Sequence, residues 1–186
     1  GHEKTQDIGS KKIFFSDRKV ILNAIKNKNI NLSNNLKINV IKETAKIKRL
    51  SPLITLKKAR INSHEVTKND IFFAIKGKKN DGNKFVTQSF KRKASLVVVN
   101  KIQNKFNNNR QIKVKNTLKF LTNVSKIFRK SIDTNIIAIT GSCGKTTLKE
   151  LLGNTLNKIS KVSISPKSYN NKFGVPLSLF NINQKD

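Results

Sequence analysis

A glycine-containing turn between an apolar run and a helical pattern is the feature that most constrains this chain. The run "NIIAI" (135–139) is followed by "TGSCGKTT" (140–147) and then by "LKELLGNTL" (148–156). The β-branched run predicts a strand over 135–140, and the second pattern predicts a helix over 145–158. Glycines at such a junction let backbone N–H groups and the positive end of the helix converge on an anion. The turn therefore predicts a phosphate-binding site.

Each residue type in the turn has a physical role. Gly141 and Gly144 lack the Cβ atoms that would block a phosphate, Lys145 can reach the β- and γ-phosphates of ATP, and the Thr146 hydroxyl can ligate Mg²⁺. The full pattern GxxxxGK[ST] needs a glycine where Ile139 stands, so the shorter GxxGKT is less specific. Cys143 is interpreted as a small residue at a permissive position rather than as a reactive thiol. The predicted ATP-binding residues are Gly141, Ser142, Cys143, Gly144, Lys145, Thr146 and Thr147.

The rest of the chain alternates predicted strands with predicted helices. The segment 27–40 is rich in Asn and Lys without clear helical periodicity, and it is interpreted as a linker. A short helix is predicted over 41–49, extended chain around 52–63, and a turn at Asp81-Gly82. Alternation of this kind predicts an α/β fold with parallel strand pairing. The remaining strands are predicted at 11–15, 70–77, 95–100, 111–115 and 161–165, and the remaining helices at 17–26, 84–93 and 117–130.

Composition narrows the class of protein. The formal net charge of +29 invites a nucleic-acid-binding interpretation. However, the basic residues are mostly lysines spread over every segment, without the interleaved aromatic residues that stack on bases, so no nucleic-acid partner is predicted. No apolar run reaches the roughly 18 residues of a membrane span. A single cysteine fits the cytoplasm, and the lack of Met together with the abrupt start at Gly1 predicts an internal piece of a longer polypeptide.

Three segments together resemble the Mur ligase family. "ITGSCGKTTLKELL" is similar to the family's short ATP-binding turn TGSxGKT, which removes the objection raised by Ile139. "SYNNKFGVPLSLFNIN" resembles the family segment NNxxGxPLxLL, and the stretch from "INSHEV" to "SLVVV" resembles the N-terminal domain of the members that add D-alanyl-D-alanine. The resemblance covers about 59–186. This sequence departs from the family pattern at two places. Asn62-Ser63-His64 stands where the family usually has the triplet DSR, and Asn83 stands where the family usually has a histidine.

The first 28 residues resemble a different part of the same family. "GHEKTQ" and the later "SDR" are similar to the C-terminal end of the members that add the third peptide residue, in which the corresponding glutamate, here Glu3, contacts the incoming amino acid. The resemblance implies a fusion of two Mur ligases, with residues 1–28 as the tail of the first. It further implies a linker at 29–45, a small mixed α/β N-terminal substrate domain at 46–116, and the start of a truncated parallel-sheet P-loop ATPase domain at 117–186.

The resemblance also implies an activity. Mur ligases use ATP and Mg²⁺ to convert a carboxylate into an acyl phosphate that an amine attacks; here the substrates would be UDP-MurNAc-tripeptide and D-alanyl-D-alanine, and the enzyme a monomer. Lys145 would be catalytic and Thr146 would hold the metal. Ser63, Asn170, Asn171 and Glu3 would bind substrates, whereas His64 is expected at the surface. Other family residues needed for catalysis would lie beyond residue 186, so the chain alone is expected to be inactive.

The sequence alone leaves three alternatives to this activity open. The chain could derive from another Mur-type ligase, from a basic nucleic-acid-binding module, or from a non-catalytic remnant of a ligase. The Asn pair could serve only as a helix cap. The intact Lys145-Thr146 pair argues against the remnant.

Overall fold

The computed structural model describes residues 5–8, 11–14, 32–47, 50, 54–77, 80–166, 169 and 171–182. The chain divides into two units, 1–32 and 33–186. In the first unit, strand β1 (Thr5–Ile8) pairs antiparallel with strand β2 (Lys11–Phe14). The strand predicted over 11–15 is therefore confirmed, whereas the helix predicted over 17–26 lies outside the described residues.

A parallel four-stranded sheet forms the centre of the second unit. Its order is β3 (Ala59–Arg60), β4 (Ile71–Phe73), β5 (Leu96–Val99) and β6 (Gln111–Lys113). All residues of β4 and β5 are buried, as expected of parallel strands that are covered on both faces. The strands predicted within 70–77, 95–100 and 111–115 are confirmed, and so is the mixed α/β fold with parallel pairing.

The helices of the described residues are α1 (Leu32–Ala45), α2 (Val86–Lys91), α3 (Thr117–Lys130), α4 (Lys145–Leu156) and α5 (Gly174–Phe180). All of them except α4 contribute to the apolar clusters on the two faces of the sheet. Side chains of α1, α3 and α5 share one apolar cluster with Phe73, Leu96 and Val98 of the sheet. On the other face, Phe72, Val97 and Val99 pack with Val86 of α2. The helices predicted over 84–93, 117–130 and 145–158 are thus confirmed, with ends that differ by a few residues.

The interpretation of 27–40 as a linker without helical structure is wrong for the residues that the structure describes there. Helix α1 begins at Leu32 and runs through the segment, so the helix predicted over 41–49 begins nine residues early. Its buried apolar residues Ile38, Val40 and Ile41 lie within four consecutive positions, which is too short a stretch to show a helical period. The helix therefore forms because it packs on the sheet, a tertiary effect that the local pattern does not reveal.

The predictions of strands at 135–140 and 161–165 are also wrong. Both segments are described and neither is in a strand. Side chains of the first segment are largely open to solvent, with Ile136 44% and Ile137 60% exposed. A strand needs a neighbour to accept and donate its ladder hydrogen bonds, and the described part of the chain brings none to these segments.

The turn predicted at Asp81-Gly82 is confirmed. Asp81 forms an antiparallel bridge with Lys76, and the Gly82 N–H donates to the Ile75 carbonyl at 3.0 Å. A Cβ on Gly82 would lie 2.6 Å from the Ile75 nitrogen, so only glycine fits there. Hydrogen bonds from the side chain and backbone of Asn83 lower the pKa of the Asp81 carboxyl.

One lysine lies inside the core. Lys37 of α1 is only 5% exposed; its ammonium donates to the Lys57 carbonyl at 2.9 Å and lies over the rings of Phe128 and Phe180. Burial, with a smaller contribution from Lys58, lowers the pKa of Lys37 to about 8.

Among the described residues, no helix is both long and apolar enough to cross a membrane.

Candidate active site

The predicted phosphate turn is a tight loop that leads directly into helix α4. Gly141 has φ 153° and Gly144 has φ 72°, both in the region that favours glycine. Gly144 is the N-cap residue that precedes the helix, and no side-chain hydrogen bond caps the helix start. A Cβ on Gly144 would meet nothing within 4 Å, so the positive φ, and not lack of space, requires glycine there. The first N–H groups of α4 have no partners within the helix and are therefore suited to an anion.

Lys145 lies across its own turn. Its ammonium donates to the carbonyl oxygens of Gly141 and Ser142, the second at 3.1 Å. The side chain is half-buried, whereas Ser142, Cys143 and Thr146 are exposed. A bound phosphate would find the positive charge already next to the backbone donors. The structure thus brings together the residues that the sequence predicts for ATP binding.

Thr146 stands in the first turn of α4, where its hydroxyl can serve as a hard oxygen ligand. Among the described residues, no group of three or more His, Cys, Asp or Glu side chains could hold a metal ion. Mg²⁺ is commonly held by few protein oxygens together with phosphate oxygens and water. The residues present fit a magnesium ion only in that manner, with the nucleotide supplying ligands.

Ser63 lies in a 3₁₀ turn (Ser63–Glu65) that follows β3. Its buried hydroxyl donates to the Gln88 side-chain oxygen at 2.6 Å, and the Gln88 amide nitrogen lies 3.3 Å from Nδ1 of His64. His64 itself is exposed, as expected. Gln88 of α2 therefore connects the two side chains of the altered triplet; sequence analysis missed it, because the contact spans 25 residues and carries no local signal.

Asn171 caps the start of α5. Its side-chain oxygen accepts from the N–H groups of Phe173 at 3.0 Å and Gly174 at 2.9 Å. The capping interpretation is thus confirmed for this oxygen. Asn170 and Glu3, the other predicted substrate-binding residues, lie outside the described residues.

The segment after α4 joins the phosphate turn to α5. The Lys149 ammonium donates to the Ser165 carbonyl at 2.6 Å, and Gly153 packs directly on Ile164, where an added Cβ would lie 2.4 Å from its Cδ1 atom. A Cβ on Gly174 would in turn lie 2.4 Å from Cα of Tyr169, so α5 begins directly against the same segment. Two leucines of α4 are open to solvent, with Leu148 51% and Leu151 64% exposed.

Comparison with known proteins identifies the family. The Mur ligase middle domain matches residues 139–186. A UDP-N-acetylmuramoyl-tripeptide–D-alanyl-D-alanine ligase from Haemophilus influenzae is 31% identical over 136 residues, which cover 71% of this chain and 30% of that protein. The chain thus spans 22–30% of the length of the curated relatives it matches.

Solved structures agree with the sequence comparison. The ligase of the same type from Acinetobacter baumannii superposes with a TM-score of 0.67 at 26% identity, covering 79% of this chain and 33% of that one. MurF ligase from Thermotoga maritima, solved in complex with ADP, gives a TM-score of 0.55 at 30% identity, over 67% of this chain and 29% of that one. The chain therefore belongs to the Mur ligase family.

Proposed function

We propose that the polypeptide containing this chain is an ATP-dependent ligase that joins D-alanyl-D-alanine to UDP-MurNAc-tripeptide during peptidoglycan precursor synthesis. The relatives named for that reaction, which match 71% of this chain in sequence and 79% in structure, support the proposal. The observation that carries it is the turn itself: two glycines with positive φ, an uncapped helix start and Lys145 across the loop. A monomeric cytoplasmic enzyme is part of the proposal.

The turn would act on the phosphoryl transfer that activates the carboxylate. A carboxylate is a poor electrophile, and its conversion to an acyl phosphate moves charge onto the γ-phosphoryl group in the transition state. The Lys145 ammonium and the N–H groups at the start of α4 would stabilise that charge. Lys145 would leave the carbonyls of Gly141 and Ser142 for the phosphate oxygens. Mg²⁺, held in part by the Thr146 hydroxyl, would neutralise further charge.

Substrate binding is assigned to residues on the other elements. Ser63 would face the nucleotide of the acceptor, with its hydroxyl oriented by Gln88. Asn171 would use its amide nitrogen, because its oxygen is taken up by the start of α5, and Asn170 would lie beside it. Glu3 would belong to the site of an upstream ligase.

Ligation by the complete reading frame tests this function. The expressed protein should release phosphate only when ATP, UDP-MurNAc-tripeptide and D-alanyl-D-alanine are all present, in a one-to-one ratio with the peptide product. Lys145→Ala should lower kcat by roughly a hundredfold or more, as loss of one group that stabilises transition-state charge does. Lys158→Ala, which removes an exposed lysine just beyond the same helix, is the matched control and should retain activity. Full ligation by Lys145→Ala would refute the proposal.

We also propose that the chain comprises an upstream ligase tail (1–28), a substrate domain (46–116) on whose sheet helix α1 of the intervening segment 29–45 packs, and the start of an ATPase domain (117–186). The separation of the units 1–32 and 33–186 supports the first boundary. The DNA that flanks the sequence should encode the body of a Mur ligase on each side. The isolated 186-residue chain should not ligate, and ligation by it would refute the proposed division.

A further inference from the structure

The side chain of Asn181 forms two hydrogen bonds with one residue of the sheet. Its oxygen accepts from the Ala59 N–H at 2.6 Å, and its nitrogen donates to the Ala59 carbonyl at 3.1 Å. In a β-strand both backbone groups of one residue point to the same side. Those of Ala59 point away from β4, since β4 pairs with β3 on the opposite side. The Asn181 amide thus takes the place of a neighbouring strand at the edge of the described sheet.

Asn181 ends helix α5, and α5 is firmly packed. Leu177 and Phe180 are buried in the cluster that contains Phe73 and Phe128. The Ser125 hydroxyl of α3 donates to the Pro176 carbonyl at 2.8 Å. The two hydrogen bonds of Asn181 therefore connect a helix that is packed in the core to strand β3.

The two ends of this connection lead to the two halves of the candidate site. Ser63 lies four residues after Ala59 in the chain, directly beyond β3. On the other side, α5 begins against Tyr169, and the segment before it is fixed to α4 at Gly153 and Lys149. Helix α4 carries the phosphate turn at its start. A contiguous path of packed residues therefore runs from the acceptor side through Asn181 to the nucleotide side.

We infer that Asn181 is a positioning residue, which holds strand β3 and its Ser63 turn in register with helix α5 and thereby with the phosphate turn. The inference rests on the proposed function, because only a reaction between two bound substrates makes their relative placement matter. Misplacement of reacting groups by even about 1 Å can cost up to about a hundredfold in rate while each site still binds its own ligand. Loss of Asn181 should therefore act on kcat more than on KM.

The test compares two variants in the complete ligase. Asn181→Leu keeps the approximate size of the side chain and removes both bonds to Ala59. It should lower kcat by roughly tenfold or more, with the KM for ATP changed by less than about threefold. Ser125→Ala is the control, because it removes a hydrogen bond of the same helix to α3 and leaves the link to β3. It should lower the melting temperature while kcat stays within about twofold.

A second variant tests the inference in case Asn181→Leu does not fold. Asn181→Asp keeps the acceptor for the Ala59 N–H and replaces the donor, so it should show the same division between kcat and KM in a smaller degree. Unchanged kcat in the folded Asn181 variants, or an equal loss of kcat in Ser125→Ala, would refute the inference about Asn181 and leave the proposed function standing. Absence of ligation by the wild-type protein would instead refute the proposed function, and the inference with it.

Discussion

Lys37 shows how a single buried charge shapes the stability of the fold. In the folded chain its pKa is about 8, against 10.5 for an exposed lysine. The folded chain thus binds this proton less tightly than the unfolded chain. At pH below 8 the lysine is charged in both states and its burial costs about 3 kcal/mol. Between pH 8 and 10.5 the unfolded chain keeps the proton that the folded chain releases, so this cost declines as pH rises.

Lys37→Met should therefore stabilise the protein at pH 7, and the gain should shrink as the pH is raised above 8. Methionine fills a similar volume among the rings of Phe128 and Phe180 without carrying a charge. Urea denaturation of both proteins from pH 7 to 9.5 measures the difference, in which the titration of the other lysines cancels. Stability profiles that run parallel over this range would contradict the prediction.

Gly82 is a second residue at which the structure predicts the effect of a substitution on stability. A methyl group there would meet the backbone of Ala74 and Ile75 at 2.6–2.8 Å, and backbone atoms cannot move aside as a flexible side chain can. Gly82→Ala should destabilise the fold by about 2 kcal/mol or more. Gly77→Ala provides the control in the same turn, because its added methyl would lie 3.4 Å from the Asn80 carbonyl oxygen. Equal thermal stabilities of the two variants would contradict the argument.

At the scale of elements, sequence reasoning succeeded where the signal is local. The β-branched composition of the short run "LVVV" indicates a strand, the apolar residues of α3 recur at helical spacing, and the residue types of the glycine turn indicate a phosphate site. The failures concern elements whose structure depends on distant partners. Helix α1 is held by the sheet, and the segments 135–140 and 161–165 have no neighbouring strand in the described chain. The contacts of Gln88 and Asn181 were missed for the same reason.

The cap of α3 gives a prediction at this scale. The Asn116 side-chain oxygen accepts from the Lys119 N–H at 2.9 Å at the start of the helix. Asn116→Ala should cost about 1 kcal/mol of unfolding free energy. Asn123→Ala, at an exposed position within the same helix, should be neutral or slightly stabilising because alanine favours helix interiors. Chemical denaturation of both variants decides, and a cost for Asn123→Ala as large as for Asn116→Ala would refute the assignment of the cap.

The whole molecule contains regions of very unequal packing. Strands β4 and β5 are buried entirely, whereas Ile137, Leu151 and Ile159 leave 60%, 64% and 81% of their surface open. In the 186-residue chain, amides of β5 should exchange with deuterium roughly a thousandfold more slowly than those of 135–140, because few contacts must break to open the latter. Hydrogen-exchange mass spectrometry measures both segments. Similar rates would show that 135–140 is paired after all.

The hydrogen bonds between Ala59 and Asn181 join positions 122 residues apart. During synthesis the backbone groups of Ala59 that face away from β4 must therefore stay hydrated until Asn181 has left the ribosome. The glycine turn and α4 leave the ribosome before α5, so they lie in the loop of chain that the contact between Ala59 and Asn181 later closes. Completion of the sheet thus depends on translation past residue 182, and a pause or a premature stop before it would leave nascent chains with an open, adhesive edge.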